Sequence, residues 1–134
     1  PLVLGVNKKH PLAKKKEVSL AELKRQEILS YDPASPVYQE IVDLIEGYDL
    51  NVQFSYDDEI TLSSLVAGNE SKTALFCYSL MINAFDDVVC IPVREAPIDF
   101  HKTYVVSRDE GRQPKVVQEF IDFMSAHRFP RLLS

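Results

Sequence analysis

Apolar and β-branched residues gather in short runs along this chain, and the spacing within the runs switches between period two and the three-to-four of a helix. Runs at 2–6, 27–31, 51–56, 73–78, 88–93 and 102–107 read as strands. The run at 51–56 alternates Val52, Phe54 and Tyr56, as a half-buried strand does, and 88–93 is the most strand-like of all. Helical patterns lie between them. Val37, Ile41, Leu44, Ile45 and Tyr48 recur at helical spacing and predict a helix over 36–46. Ser35 stands there as N-cap, Pro36 fits the first helical position, and Gly47 can supply a left-handed cap. Asp57 and Asp58 open a helix over 59–67 that Gly68 and Asn69 end. Ser19 and Glu22 have capping-box spacing and start a short helix over 20–25, and another short helix is expected over 79–83. A last helix over 115–126 follows Gly111 and Pro114 and carries a broad apolar stripe of Val116, Val117, Phe120, Ile121, Phe123 and Met124.

Strands alternating with helices predict an α/β fold with a mostly parallel sheet. The 134 residues suffice for one domain with a real core and are too few for two. Hydrophobic content of 46% and charged content of 26% are those of an ordinary globular chain. No apolar run approaches the roughly 18 residues that span a bilayer, and no signal-peptide pattern opens the sequence, so no membrane partner is expected. Cys77 and Cys90, in apolar surroundings, read as buried free thiols of a reducing compartment, and the cytoplasm is the expected location. The chain begins at Pro1, without Met and already within a strand pattern; it is expected to be a piece of a longer protein.

Charge narrows the partners. A net charge of −5 argues against this chain holding DNA or RNA by itself. Residues 1–25 hold seven Lys or Arg against two acids, whereas 26–71 hold ten acids and no Lys or Arg. Lys14, Lys15 and Lys16 read as a solvated basic loop. An anion bound by the middle segment would have to rely on hydroxyls, backbone N–H groups and helix dipoles.

Catalytic patterns are missing. His10, His101 and His127 share no ligand spacing, and there is no CxxC, GxSxG, P-loop or GxGxxG. Cys77, Asp99 and His101 could be drawn as a nucleophile set, but their spacing carries no signal. Asp57, Asp58 and Glu59 at the start of a helix suit its dipole better than they suit a metal. Neither a metal nor another cofactor is called for, and the chain is not expected to be an enzyme. Binding patterns are better served. In a parallel α/β sheet, ligands sit where strands end and helices begin. Ser30, Tyr31, Asp32 and Ser35 follow one strand, and Thr61 and Ser64 lie in the first turns of the next helix. These hydroxyls can line a ligand pocket or merely cap turns.

The order of motifs adds to this. Leu2-Val3-Leu4-Gly5-Val6, then His10-Pro11-Leu12-Ala13 and Val18-Ser19-Leu20-Ala21-Glu22-Leu23, resemble the effector-binding domain of LysR-type transcriptional regulators. Tyr31-Asp32-Pro33-Ala34-Ser35-Pro36, the run 57–68, and Thr103-Tyr104-Val105-Val106-Ser107-Arg108 with 120–124 continue the resemblance. It departs from the usual pattern at 69–72, where the family has Gly-Leu-Gly, and at Cys77, where Pro is frequent. The resemblance implies a two-lobed fold like that of type 2 periplasmic binding proteins, with effector in the cleft. Each lobe would be a three-layer, Rossmann-like α/β unit whose mostly parallel sheet includes an antiparallel crossover strand. Residues 8–100 would form the second lobe, 2–6 and 103–106 the crossover strands, and 115–126 a helix of the first lobe, whose remainder is absent.

By the same resemblance the chain is the ligand-sensing part of a transcription factor that meets DNA through a winged helix-turn-helix lying elsewhere. The alternative is a solute receptor or an enzyme on the same fold. Ser30, Tyr31, Asp32, Ser35, Thr61 and Ser64 would contribute to the effector pocket. The lack of Lys and Arg from 26–71 favours a neutral or cationic effector, unless the other lobe supplies a cation. The helix 36–46 would contribute to a homodimer. Val37, Ile41, Leu44 and Ile45 would face their own sheet and leave Tyr38 and Val42 for the partner. Finally, the stripe on 115–126 is not expected to stay exposed as a whole; it would fold back onto its lobe or bury itself against another copy.

Overall fold

The computed structural model describes residues 1–102 and 114–126. The chain divides into two compact units, Pro1–His101 and Lys102–Ser134. The first unit is built on β1 (Leu2–Asn7), β2 (Glu27–Tyr31), β3 (Asn51–Tyr56), β4 (Thr73–Cys77) and β5 (Val88–Pro92). Helix α1 (Tyr38–Ile45) joins β2 to β3, and α2 (Glu59–Ala67) joins β3 to β4. The strands form one sheet in the order β3-β2-β4-β1-β5. β2 is parallel to β3 and β4, whereas β1 is antiparallel to β4 and β5, so β1 alone is reversed within this sheet. The α/β class and the antiparallel first strand are therefore as expected.

Sheet order and handedness set the layers. From β2 the chain steps outward through α1, and from β3 it steps back past β2 through α2. Right-handed crossovers in opposite directions place the two helices on opposite faces. Tyr38 of α1 packs edge-on against Phe54 of β3, with ring centroids 4.9 Å apart. With neighbours on both sides and cover on both faces, β1 is wholly buried, which is why it reads as a continuous apolar run rather than an alternating one. β3, at the sheet edge, keeps the alternation: Asn51, Gln53 and Ser55 are exposed and Val52, Phe54 and Tyr56 half-buried. Asn7 ends β1 by binding α2: its Nδ2 donates to the carbonyls of Val66 (3.3 Å) and Ala67 (2.9 Å), and its Oδ1 accepts from the Lys9 N–H.

Local signals mostly hold. Glu22 accepts from the Ser19 N–H at 2.7 Å and from its hydroxyl at 3.0 Å, opening a short 3₁₀ turn over Leu20–Leu23. Gly47 takes the left-handed conformation, with φ of 85°. The expected cap of α1 is corrected. The helix begins at Tyr38, not Pro36, its N-cap is Val37, and Ser35 lies in the preceding turn with its Oγ 3.4 Å from the Val37 N–H. The physical reason is a competing turn: Asp32 Oδ1 accepts from the Ala34 N–H at 2.9 Å and the Asp32 carbonyl from the Ser35 N–H at 3.0 Å. The thiols are also corrected, from buried to half-buried; both are free. Cys77 stands opposite Leu2 and Cys90 opposite Gly5, three positions apart on β1, so the two point to opposite faces of the sheet.

In the second unit α3 spans Lys115–Ala126, as its pattern predicts. None of its residues is buried, and Val116, Phe120 and Phe123 are 72%, 55% and 58% exposed. Of the strand expected over 102–107 all but Lys102, with the crossover strand at 103–106, His127 and the tail beyond it, lies outside the described residues.

Candidate functional site

The parallel strands β2, β3 and β4 end at one edge of the sheet, and there α1 and α2 begin. This common edge is where peptide N–H groups and helix dipoles are free to meet a ligand. β1, being reversed, starts at the same edge, where the Tyr78 N–H donates to the Pro1 carbonyl at 2.9 Å.

Among the six residues singled out from the sequence, two turn inward. Ser30 is fully buried, and its hydroxyl donates to the Leu75 carbonyl across the β2–β4 pair at 2.8 Å. Tyr31 is 4% exposed, and its phenol oxygen accepts from the Cys77 N–H at 2.9 Å. Burial pushes the Tyr31 phenol far up and the Cys77 thiol up to about 11, so both stay protonated at neutral pH. The other four reach solvent. Asp32 and Ser35 lie half-exposed in the turn after β2, which is pinned to the end of β3 by the Asp32 N–H on the Tyr56 carbonyl. Thr61 and Ser64 are exposed on the first turns of α2. Asp58 caps that helix, accepting from the Thr61 N–H at 2.8 Å, and this bond holds its carboxyl below the usual carboxylate range. Asp32, Ser35 and Thr61 thus share an edge but approach it from opposite faces of the sheet, Asp32 and Ser35 beside α1 and Thr61 on α2.

The structure adds residues that sequence reasoning missed. Burial is the main cause of the raised Cys77 thiol, and Glu40 in the first turn of α1 and Glu59 in that of α2 each raise it further through their charge. Their place at helix starts after strand ends was a usable signal. Ser79, two residues past β4, has a buried hydroxyl without a hydrogen-bond partner, as has Ser63 on α2. Nothing in the local sequence marks either. A surface depression of about 230 Å³, lined by Glu27, Ile28, Leu29, Asn51, Gln53 and Lys72, lies at the opposite, amino end of β2 and β3, away from this chemistry. Among the described residues no group of three or more His, Cys, Asp or Glu could hold a metal ion, and no helix is long and apolar enough to cross a membrane.

Known proteins share this fold. The chain is 24% identical over 130 residues to the HTH-type transcriptional activator CmpR of Synechocystis, a stretch covering 95% of this chain and 42% of that one. Its fold is similar to the regulatory domain of Synechocystis CcmR in complex with 2-PG, with a TM-score of 0.67 and 16% identity over 94% of this chain and 62% of the other. It is similar also to the effector binding domain of QuiR in complex with shikimate, with a TM-score of 0.68 and 17% identity over 91% and 58%. The chain therefore spans less than two thirds of the length of these relatives. Residues 1–128 match the family model of the LysR substrate binding domain, and the chain belongs to that family.

Proposed function

We propose that this chain is the ligand-sensing part of a LysR-type transcriptional regulator and not an enzyme. The observation that carries the reading is the family match over residues 1–128. Similar domains in CcmR and QuiR hold 2-PG and shikimate, and the similar full-length CbnR is in complex with its target DNA. Residues 8–100 then form the second lobe, 2–6 and 103–106 the crossover strands, and 115–126 a helix of the first lobe. The remainder of that lobe and the winged helix-turn-helix lie outside this sequence. The intact protein is cytoplasmic and reads DNA through that winged helix; this fragment shifts no promoter fragment by itself.

The second-lobe side of the effector site is the turn after β2 and the start of α2, with Asp32, Ser35, Thr61 and Ser64 reaching the effector and Ser30 and Tyr31 shaping the floor. Glu40 and Glu59 beside Cys77, and the absence of Lys and Arg from 26–71, favour an effector that is neutral or cationic where it meets this lobe. A thermal-shift screen of metabolites on the intact two-lobe domain identifies the effector. Calorimetry then tests the site: Ser35→Ala with Thr61→Ala is expected to weaken binding about tenfold or more, two hydrogen-bonding hydroxyls being removed. Unchanged affinity overturns the assignment.

The regulator is also proposed to work as a homodimer through α1. Val37 and Ile41 are buried in their own lobe, and Tyr38 is partly occupied by Phe54, so Val42, half-buried, is the cleaner probe. Sedimentation of the intact protein is expected to shift toward monomer with Val42→Glu, and an unchanged dimer counts against this role.

A further inference from the structure

The segment after β5 leaves the sheet at one side and makes a contact with the lobe at the other. β5 is the outer strand of one edge, and α1 joins β2 to β3 at the opposite edge. Between them the segment 93–101 is tied down repeatedly. Val93 pairs with Val18 in a parallel bridge, and Glu95 Oε2 accepts from the Leu20 N–H at 3.0 Å. Phe100 is 8% exposed and its N–H donates to the Pro97 carbonyl at 3.0 Å. The last tie is His101 Nδ1 on Glu40 Oε1, at 2.8 Å and 61 positions apart. Such a segment reaches roughly 28 Å when fully extended. Three strand spacings, from β5 to β2, are about 14 Å. The segment therefore crosses with slack, and its ends have to be fastened to fix its course.

His101 is where that fastening shows in the backbone. Its φ is 56°, in the left-handed region that glycine occupies with least strain. Histidine at such a position needs an added contact to hold it. The imidazole is what histidine supplies in place of glycine, and it is the group that meets Glu40. Glu40 in turn stands in the first turn of α1, directly after the 32–37 turn, and His101 is the final residue of the compact unit.

We propose that Glu40 and His101 form a latch that fastens the strap 93–101 across the strand ends and couples the start of α1 to the point where the chain leaves the lobe. The latch stands on its own geometry; its use in regulation rests on the effector site proposed above. Whatever moves the 32–37 turn displaces Glu40, and through His101 the strap moves with it. In reverse, a pull on the chain beyond His101 reaches the first turn of α1.

Amide hydrogen exchange on the 134-residue chain tests the coupling without any effector, so its outcome is independent of the site assignment. Glu40→Ala removes the latch from the helix side, and His101→Gly removes it from the strap side while easing the left-handed backbone. Each variant is expected to speed exchange in both elements about two- to fivefold, as for a partly exposed hydrogen-bonded pair. The telling amides are Tyr38 and Ile41 for His101→Gly and Phe100 for Glu40→Ala, each far in sequence from its substitution. The double variant is expected to exchange no faster than the faster single one. Circular dichroism checks that both variants fold. Exchange altered only beside each substitution, exchange unchanged in both elements, or effects that add in the double variant would each overturn the latch.

Discussion

Gly5→Val is expected to lower the unfolding free energy by about 3 kcal/mol, the upper end of what overpacking a core costs. The reason is a close approach that no residue with a Cβ can allow. A Cβ at position 5 would lie 2.4 and 2.6 Å from two ring atoms of Phe76. The Phe76 ring is fully buried on the sheet face over Gly5, against a strand whose every residue is buried, and a close-packed interior offers it no vacant space. Valine adds two methyl groups to that conflict. Urea unfolding followed by circular dichroism measures it as a lower midpoint at unchanged slope. Pairing Gly5→Val with Phe76→Leu should recover part of the loss, because the two changes share one volume. An unshifted midpoint for Gly5→Val would show that Phe76 does not fix the approach of β1.

Asn7→Leu is expected to cost about 2–3 kcal/mol, because the Ala67 carbonyl and the Lys9 N–H lose their side-chain partner and the Val66 carbonyl is left with backbone donors alone, the Asn69 N–H among them. Its amide serves the Val66 and Ala67 carbonyls at the end of α2, and its carbonyl oxygen serves the Lys9 N–H. Leucine keeps the branched outline, with a somewhat larger volume, and removes every side-chain bond. Asn7→Asp is the sharper comparison: it preserves the acceptor for Lys9 but replaces the donor with a carboxylate facing the negative end of the helix dipole. It is expected to be no better than leucine at neutral pH and to improve as pH falls and the carboxyl protonates. Thermal unfolding of the two variants across pH checks this. Equal stability of Asn7→Asp and the parent at neutral pH would show that the cap carries no weight. The cap also bears on the site, since it anchors the far end of the helix that presents Thr61.

The strands and helices of the first unit were legible in the sequence because each carries a local signal. Val52, Phe54 and Tyr56 alternate because β3 lies at an edge with one face wet, and the run 2–6 does not alternate because β1 is covered on both faces. Asp58, Gly47 and the Ser19–Glu22 box mark helix ends through bonds made within a few residues, so sequence spacing finds them. Ser35 shows where that logic stops. It satisfies every rule for an N-cap, yet Asp32 three residues earlier offers the same backbone a competing turn, and α1 starts at Tyr38.

Local pattern along the chain set the class of fold, the edge at which the parallel strands end and the helices begin, and the residue types available there. Which side chains actually face that edge was decided by tertiary structure. Ser30 and Tyr31 looked like ligand groups, but their partners, the Leu75 carbonyl and the Cys77 N–H, lie more than forty positions away in β4 and become neighbours only when β2 pairs with it. The charges of Glu40 and Glu59 come to act on Cys77, and Glu40 meets His101, by the same long-range closure. Turns and caps are set by neighbours within one turn of chain, so their chemistry is written locally. Burial, pairing and electrostatic company depend on which strands lie side by side, and that order, β3-β2-β4-β1-β5, exists only once the sheet has formed.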